Sequence, residues 1–423
     1  MKKWIIGLMV VCLAAVVLVA LNGNTLFDKP AQQPQEQAQS AETPENPAPA
    51  ETETPAEAET AAPAEDLPAQ SPEEPAAEEK TVDYDAIYAL HAPDEVVMTV
   101  DGKPVTWQDY FYAYFSQAAN MEQQFEKYQY YGMALGWESQ ADEEGHTYAD
   151  LVPQLAEQNL RRVITAESVA EEKNIRMLPD EEAEIQAAHQ ENIEYFCGED
   201  GTEEELLQQL WEQRYLTEDF YWRVLRFGPL TEATRRTLYG NDGMRLNDKQ
   251  VEEWMNLSGI LSANHILIPT VDLSTGEALD EATVAEKTEL AKQIAAELQA
   301  IEDPAAREAR FLELKELHDA DGGAYVFGPG VMVQEFYDGT LALEPGQVSD
   351  PVQSSYGFHV ILRRAIHADD VVTSAQGDFT ARSMMADELF SQMMSERMEA
   401  QVVEYADGFE TPSILDYVIR AEA

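Results

Sequence analysis

The sequence has only two cysteines in 423 residues, Cys12 and Cys197. Cys12 lies inside an apolar run at the start of the chain, so it cannot pair with Cys197 in the remainder. A disulfide framework is therefore excluded. The absence is compatible with an exported protein whose cores are large enough to need no covalent cross-links.

Basic residues are also scarce, with 27 Lys and Arg against 80 Asp and Glu and a formal net charge of −53. This charge argues against nucleic acid and against anionic lipid headgroups as partners of the folded part. Solubility is one consequence of the charge. A second interpretation is that the negative field attracts basic, unfolded polypeptides.

One long apolar run begins the chain. Lys2 and Lys3 precede an uninterrupted run from Trp4 to Leu21, which as a helix would span about 27 Å, close to the hydrocarbon thickness of a bilayer. The positive-inside rule keeps the lysines in the cytoplasm and places the rest of the chain outside. Residues 1–22 are predicted to be a signal peptide or an N-terminal membrane anchor. Leu18 is too bulky for a good cleavage site, which favours the anchor over a secreted form.

Residues 23–82 are predicted to be a disordered linker. From Asp28 to Glu79 the composition is dominated by Pro, Ala, Glu, Gln and Thr, and Leu67 is the only large apolar residue. Such a segment buries too little apolar surface to offset its conformational entropy. Proline and charge repulsion extend it, so we expect it to space the folded part from the membrane.

Residues 83–258 are predicted to be mostly helical. The apolar residues around Asp101-Gly102 indicate a hairpin, and Thr106 with Asp109 resembles a capping box that starts a helix. Aromatic residues are concentrated in this region. Most are expected in the core, while those around 128–133 could line an exposed groove for unfolded segments. Apolar periodicity predicts helices over 106–128, 155–173, 180–195, 202–227 and 247–255.

Two short apolar stretches, each containing one histidine, bracket a second region. His265 lies in the stretch 262–268 and His359 in the stretch 354–362, and both stretches are predicted to be strands. Between them the pattern predicts a helix over 281–298, a second helix around 311–314, a glycine loop, a short helix and a strand. Together these elements predict a compact α/β unit.

The order of the motifs in this region resembles that of the parvulin peptidyl-prolyl cis/trans isomerases. The motifs are the opening His-Ile-Leu at His265, the glycine loop leading to Phe327, Gly-x-Met-Val-x-x-Phe from Gly330, Leu-x-x-Gly-x-Val-Ser-x-Pro-Val from Leu343, and the closing Tyr-Gly-x-His-Val-Ile from Tyr356. The surrounding chain, with an export segment and helices on both sides, resembles extracytoplasmic foldases of the PrsA and SurA type.

This resemblance implies an α+β fold class. A mostly helical, SurA-like chaperone domain is expected at 83–258. The inserted parvulin-like domain, a small and mostly antiparallel sheet flanked by helices, is expected at 259–366. Within 367–423, a methionine-rich helical pattern over 379–405 would complete the chaperone domain.

The resemblance also implies the catalytic residues. His265 and His359 would face each other on adjacent central strands, hydrogen-bonded through hydroxyl groups, and Tyr356 takes a position where the family has a hydroxyl. The family places an acid or a cysteine just before the glycine loop. The loop is short here, so either Asp319 or Asp321 is expected at that position, while ungapped matching would put an alanine there.

Proline binding is implied for three apolar side chains. Met332 and Phe336 would form a proline pocket, with Phe327 beside or beneath it. Twisting an X-Pro bond needs no nucleophile, metal or cofactor, so none is expected. The fragment His189-x-Glu191 has no further ligands at metal spacing and is interpreted as a solvated helix face.

The predicted function is peptidyl-prolyl isomerisation by a foldase that is anchored in the membrane and acts outside the cytoplasm. Its expected partners are unfolded or partly folded exported proteins with X-Pro bonds. The alternative is a holdase chaperone, weakly active or inactive as an isomerase, that only binds unfolded polypeptides. A third interpretation is a structural surface protein spaced by its linker.

Overall fold

The computed structural model describes residues 81–374 and 377–419. The predicted membrane segment and the predicted linker up to residue 80 lie outside these ranges. Among the described residues, none of the helices is long and apolar enough to span a bilayer. Thr81–Val82 form strand β1, which pairs with Val418–Ile419. The predicted linker boundary at residue 82 is therefore two residues too late, because Val82 is buried in the core.

The predicted hairpin lies near the start of the described chain, after β1 and a short helix at Tyr84–Tyr88. Strands β2 (Val96–Val100) and β3 (Lys103–Thr106) pair antiparallel. Asp101 and Gly102 have φ values of 51° and 76°, the left-handed conformation that a two-residue hairpin turn requires at both positions. The next helix begins at Trp107 with Thr106 as its N-cap, but the Thr106 side chain does not accept the backbone hydrogen bond that the predicted capping box requires.

Helices make up most of this part, as predicted. After the short α1 come five longer helices and one of ten residues: α1 (Tyr84–Tyr88), α2 (Trp107–Tyr130), α3 (Tyr148–Glu172), α4 (Pro179–Cys197), α5 (Glu203–Arg214), α6 (Glu218–Tyr239) and α7 (Asp248–Leu257). Helix α3 starts seven residues earlier than expected, because Thr147 and Asp150 form a capping box there.

The predicted single helix over 202–227 is wrong. The chain breaks at Tyr215, which adopts a left-handed conformation with φ 55°. Its ring packs edge-on against Phe111 and Phe115, and Thr217 caps the next helix by accepting a hydrogen bond from the Phe220 N–H. Ring packing and a new N-cap thus replace the continuous helix by α5 and α6.

The aromatic residues divide as predicted between core and surface. Trp107, Tyr110 and Phe111 are fully buried in the main core of the helical part. Tyr130, the last residue of α2, and Tyr131, its C-cap, are 86% and 65% exposed. Both rings therefore lie at the surface, while the groove expected around 128–133 stays a prediction.

The second part is built on one sheet. Its strands are β4 (Leu261–Pro269), β5 (Ala324–Phe327), β6 (Val352–Gln353), β7 (Gly357–Arg364), β8 (Val371–Ser374) and β9 (Gly377–Thr380). They lie in the order β6-β7-β4-β5-β8-β9, and all neighbours pair antiparallel except β5 and β8. The sheet thus extends past residue 366, where the sequence predicted its domain to end, because β8 adds to the edge at β5.

Alternation along β4 places helices on both faces of the sheet. Ile266 and Ile268 face α8 (Glu281–Gln299) and α9 (Pro304–His318) in one apolar core. Leu261 and Ala263 face the opposite side, which is covered by α10 (Gln334–Leu341). His265 falls on this second face.

The chain after the sheet returns to the helical part. Helix α11 (Ala381–Glu399) packs against α3, α6 and α7. It ends at Glu399, earlier than the pattern up to residue 405 predicted, because Val403–Tyr405 form strand β10, which pairs with β2. Chain from both sides of the sheet therefore builds the helical part.

Candidate functional site

Strand register brings the two histidines together. In the antiparallel pairing of β4 with β7, His265 lies opposite Ile361 and His359 lies opposite Leu267. The two histidines are therefore diagonal neighbours on one face of the sheet. Their ring centroids are 5.3 Å apart with an interplanar angle of 19°, and both residues are about 95% buried, at 4% and 5% exposure.

A continuous hydrogen-bonded chain runs through these rings. Ser354 Oγ lies 2.7 Å from His359 Nε2, and the two Nδ1 atoms of His359 and His265 are 3.1 Å apart. His265 Nε2 lies 2.8 Å from Asp321 Oδ2. The expected hydroxyl contact exists on the side of His359 only, since the two imidazoles bond to each other directly.

All four ring nitrogens are engaged in hydrogen bonds. With both rings neutral, the Ser354 hydroxyl donates to His359 Nε2, His359 Nδ1–H donates to His265 Nδ1, and His265 Nε2–H donates to Asp321. Burial lowers the pKa of His359 to about 4, so His359 is neutral at physiological pH. Neither imidazole has a ring nitrogen left for a ligand.

Asp321 ends the chain at the surface, with a side chain that is 33% exposed. The hydrogen bond from His265 and then that from the Tyr325 hydroxyl, which lies 2.6 Å from Oδ2, lower the pKa of Asp321. Burial and the neighbouring carboxylate raise the pKa of Tyr325. The phenol therefore keeps its proton and Asp321 is an anion.

Asp319, the other candidate acid, lies apart from the histidine chain. Its side chain is 2% exposed and forms a 2.6 Å ion pair with Lys315. It also accepts hydrogen bonds from the N–H groups of Leu267 and Gly322. Burial opposes ionisation, but the Lys315 hydrogen bond and these N–H groups outweigh it and lower the pKa of Asp319. The structure places Asp321 beside the histidines and Asp319 in a structural contact.

Apolar side chains lie directly under the imidazoles. The Phe336 ring is edge-on to His265 and His359, with centroid distances of 5.0 and 5.3 Å. Phe327 is fully buried behind Phe336, 5.5 Å away. Phe336 itself is only 3% exposed. Of the three residues expected at a proline pocket, Met332 alone is partly exposed, packed against this cluster.

The closing turn depends on a glycine next to Tyr356. Gly357 has φ 144°, and a Cβ there would lie 2.3 Å from the Ile268 carbonyl oxygen, so no larger residue fits. Tyr356 donates its backbone N–H to Ser354 Oγ at 3.2 Å, while its side chain is 43% exposed. Tyr356 therefore meets the histidine chain through its backbone.

Sequence reasoning missed three residues of the site: Ser354, Tyr325 and Lys315. Ser354 had a usable signal, since it lies in the same turn as Tyr356 and precedes His359 by five residues. Lys315 Nζ donates to the carbonyl oxygens of His265 and Gly323. It thereby ties α9 to β4 and to the start of β5.

A buried histidine and one surface cluster lie outside this site and carry side chains of the metal-ligating type. His189 is buried and hydrogen-bonded to the Tyr221 hydroxyl at 2.9 Å, so its interpretation as part of a solvated helix face is wrong. Ligand atoms of Asp142, Glu144 and His146 lie within 4.8 Å of one another at the surface. Asp142 already accepts a 2.6 Å hydrogen bond from His146 within that loop.

Comparison with known proteins matches this part of the chain to one family. Residues 265–365 match the family described as Rotamase, PPIC-type PPIASE domain. The foldase protein PrsA 4 of Bacillus cereus is 45% identical over 76 residues, which are 18% of this chain and 26% of that protein. The chaperone SurA of Chromohalobacter salexigens is 36% identical over 100 residues, 22% of each chain. The chain thus spans about a quarter of the length of these relatives.

Solved structures give a weaker likeness over a longer span. The crystal structure of PrsA from Bacillus anthracis covers 57% of this chain and 94% of its own, at 16% identity and a TM-score of 0.21. The family match and the motif order fall on the same strands, helices and histidines. Residues 265–365 of this chain are therefore a PPIC-type PPIase domain of the parvulin family, in a chain similar to PrsA and SurA.

Proposed function

We propose that this protein is a peptidyl-prolyl cis/trans isomerase that assists the folding of exported proteins. The observation that carries the proposal is the buried chain from Ser354 through both imidazoles to Asp321, standing over Phe336 inside the matched domain. The names of the relatives, foldase and chaperone, support the same function.

The chemistry requires shape and electrostatics more than reactive groups. Rotation about an X-Pro bond crosses a barrier of about 18–20 kcal/mol because it breaks amide resonance. A catalyst lowers this barrier by binding the twisted amide better than the planar one. No covalent step is needed for this.

We assign distinct roles to the side chains. Met332, with the edge of Phe336, holds the proline ring, and Phe327 supports Phe336 from behind. His265 and His359 are positioning residues, because their ring nitrogens are all engaged. They hold the Asp321 carboxylate, oriented also by Tyr325, at the mouth of the site. The fixed negative charge there favours the charge distribution of the twisted amide over that of the planar amide.

The helical part is proposed to bind the unfolded client. Tyr130, Tyr131 and Met133 are exposed together at the end of α2, and exposed apolar patches of this kind mark binding surfaces. The acidic character of the chain would favour basic clients. Binding there would raise the local concentration of X-Pro bonds near the isomerase domain.

We further propose that residues 1–22 anchor the protein in the membrane and that the following acidic, proline-rich segment spaces the folded part from the membrane surface. The support is the sequence itself: an apolar run preceded by two lysines, then a segment almost without large apolar residues. In this arrangement the folded part acts outside the cytoplasm.

Protease-coupled cleavage of a proline-containing tetrapeptide tests the enzyme proposal. We expect the folded protein to accelerate isomerisation over the uncatalysed rate, and Met332→Ala to reduce that acceleration. A protein that is folded by circular dichroism but gives no acceleration would contradict the proposal.

A second candidate is a holdase whose isomerase fold only grips peptide. The specific observation in its favour is the low exposure of Phe336, 3%, which leaves little open apolar surface beside the imidazoles. Suppression of client aggregation that persists in Met332→Ala, in a parent without isomerase activity, would favour this candidate.

A further inference from the structure

A groove lies between three helices of the helical part, away from the histidine site. Its walls come from α3, α6 and α11, and it holds about 510 Å³ of space, including the part open to solvent. Helix α11 follows the sheet in sequence, whereas α3 and α6 precede it. The groove therefore forms only where the two flanking parts of the chain meet.

The walls of this groove are mainly apolar. Phe227 from α6 is buried in a small core to which Met394 of α11 contributes. Phe390 and Met398 line the groove from the same helix, and both are only partly buried. Methionine side chains are flexible and polarisable, so such a surface adapts to different apolar side chains.

One cation lies in this apolar surround. Arg162 of α3 lines the groove and is 8% exposed. Its Nη1 atom is buried and has no hydrogen-bond partner, and no ion pair joins Arg162 to any other residue in the described ranges. None of the residues lining the groove is acidic. Burial lowers the pKa of the Arg162 guanidinium.

The preceding residue shows that this arrangement is specific to Arg162. Arg161 donates to the Met398 carbonyl oxygen, to Gln401 Oε1 and to Glu157 Oε1. Two consecutive arginines on one helix thus differ: one is satisfied by the fold and the other is not. A buried, unpaired cation costs free energy that a carboxylate partner would recover.

We propose that this groove binds an extended apolar polypeptide segment through an Asp or Glu side chain that pairs with Arg162. The apolar walls take the side chains on either side of the acid. A side-chain carboxylate fits better than a chain terminus, because Arg162 is recessed, with 8% of its surface exposed, and a side-chain stem reaches that exposed part while the peptide backbone stays in the groove.

This inference rests on the proposed foldase function and names one feature of its clients. The net charge of −53 repels acidic peptides at long range, whereas the Arg162 contact is short and desolvated. Salt screens the first effect more than the second. The groove therefore selects an isolated acid within an apolar segment over a run of acids.

Fluorescence anisotropy with the full chain and labelled, proline-free peptides tests the proposal. The peptides carry apolar residues around a central Glu or, in the matched peptide, a central Gln, and both have blocked ends. We expect the Glu peptide to bind about ten-fold more tightly, the difference that a charge-assisted hydrogen bond gives. In Arg162→Met the two peptides should bind equally, while Arg162→Lys should retain part of the preference.

Arg310→Met is the matched control. Arg310 lies at the surface of the sheet domain, where it pairs with Glu297 and Glu313, so this change also removes one positive charge. It should leave the Glu preference unchanged. Equal binding of Glu and Gln peptides by the parent, or an unchanged preference in Arg162→Met, would overturn the proposal. A preference that follows a free C-terminal carboxylate instead of the central Glu would overturn the assigned occupant.

Parallel assays separate this inference from the proposed function. If the parent shows no preference for the Glu peptide but still accelerates isomerisation and suppresses aggregation, the groove proposal alone is wrong. Absence of both activities in the parent would remove the foldase function itself. A chain without residues 23–80 supplies the remaining comparison, made in high salt so that the charge repulsion lost with these residues is screened. If it then binds the Glu peptide at least ten-fold more tightly than the parent, the acidic linker is the occupant and the client assignment is wrong.

Discussion

The histidine site and the helical groove both bury polar groups, with opposite outcomes. In the site, Ser354, His359, His265 and Asp321 satisfy one another. In the groove, Arg162 has a buried nitrogen without a partner. The satisfied chain fixes the geometry of the site before any ligand arrives, whereas the groove reaches its favourable state only with a ligand bound.

This difference predicts opposite responses to substitution. Removing a member of the histidine chain leaves other buried groups without partners, so stability and activity should fall together. Removing the Arg162 charge takes away an unpaired group, so stability should rise while binding falls. The predictions below test this contrast, from the largest expected effect to the smallest.

The largest effect is expected at Phe336, which supports both imidazoles. Phe336→Ala should lower the free energy of unfolding by about 3–5 kcal/mol and abolish isomerase activity per folded molecule. Phe311→Ala is the matched control, since Phe311 is fully buried on the other face of the same sheet. It should cost similar stability but spare the activity, as measured by denaturant unfolding and the tetrapeptide assay. Equal activity losses in both variants would contradict a specific role for Phe336.

The two aspartates should separate stability from activity. Asp319→Asn breaks the buried pair with Lys315 and should destabilise by about 3–5 kcal/mol, with kcat/KM little changed in the folded fraction. Asp321→Asn should cost only about 1–2 kcal/mol but reduce kcat/KM at least ten-fold. A large loss of activity in Asp319→Asn with a large loss of stability in Asp321→Asn would contradict the roles assigned to the two aspartates.

Asp319 and Asp321 are only two residues apart, and the sequence alone could not decide which of them lies beside the histidines. Either position was compatible with the motif order, and the decision came from Lys315, which draws Asp319 under β4. That contact depends on how α9 crosses the strand. By contrast, His265, His359 and Phe336 were predictable because each belongs to a motif of its own.

The fold shows the same division between local and distant information. The hairpin at Asp101-Gly102 and most helices follow from local patterns. Strand β10 pairs with β2 across about 300 residues of chain, and β8 extends the sheet beyond its predicted end. No local pattern specifies such pairings. The helix break at Tyr215 depends on both kinds of information: the Thr217 cap is a local pattern, whereas the packing of the Tyr215 ring depends on residues distant in the sequence.

Acid should weaken the histidine chain. The pKa of His359 is about 4 in the fold against an ordinary value of 6.5, so the unfolded state binds more protons between these values. Stability should therefore fall as pH drops from about 6.5 to about 4, by at most about 1.4 kcal/mol per pH unit from this residue. Chemical denaturation at several pH values measures the slope. His359→Asn should lack this contribution, and an unchanged slope would contradict it.

Arg162→Met should stabilise the protein, whereas substitutions in the histidine chain should destabilise it. Replacing the unpaired guanidinium by an apolar side chain of similar length should raise the free energy of unfolding by about 1–2 kcal/mol. Urea denaturation of the parent and the variant measures the difference. A loss of stability would mean that the fold itself uses Arg162, and the contrast between the two regions would fail.

The smallest effect on stability is expected at the exposed aromatics. Tyr130→Ser with Tyr131→Ser should change stability by no more than about 0.5 kcal/mol, because both rings are at the surface. Suppression of client aggregation should nevertheless fall, and tetrapeptide isomerisation should not. Unchanged aggregation suppression would remove these residues from the client surface.

The most direct test of the central claim is exchange NMR of a short X-Pro peptide with a catalytic amount of the folded protein. The claim is that the histidine chain over Phe336 and Met332 accelerates rotation of the prolyl bond. We predict exchange cross-peaks between the cis and trans forms with the parent, and their loss with Asp321→Asn. Absence of exchange with the parent, or equal exchange with the variant, would contradict the claim.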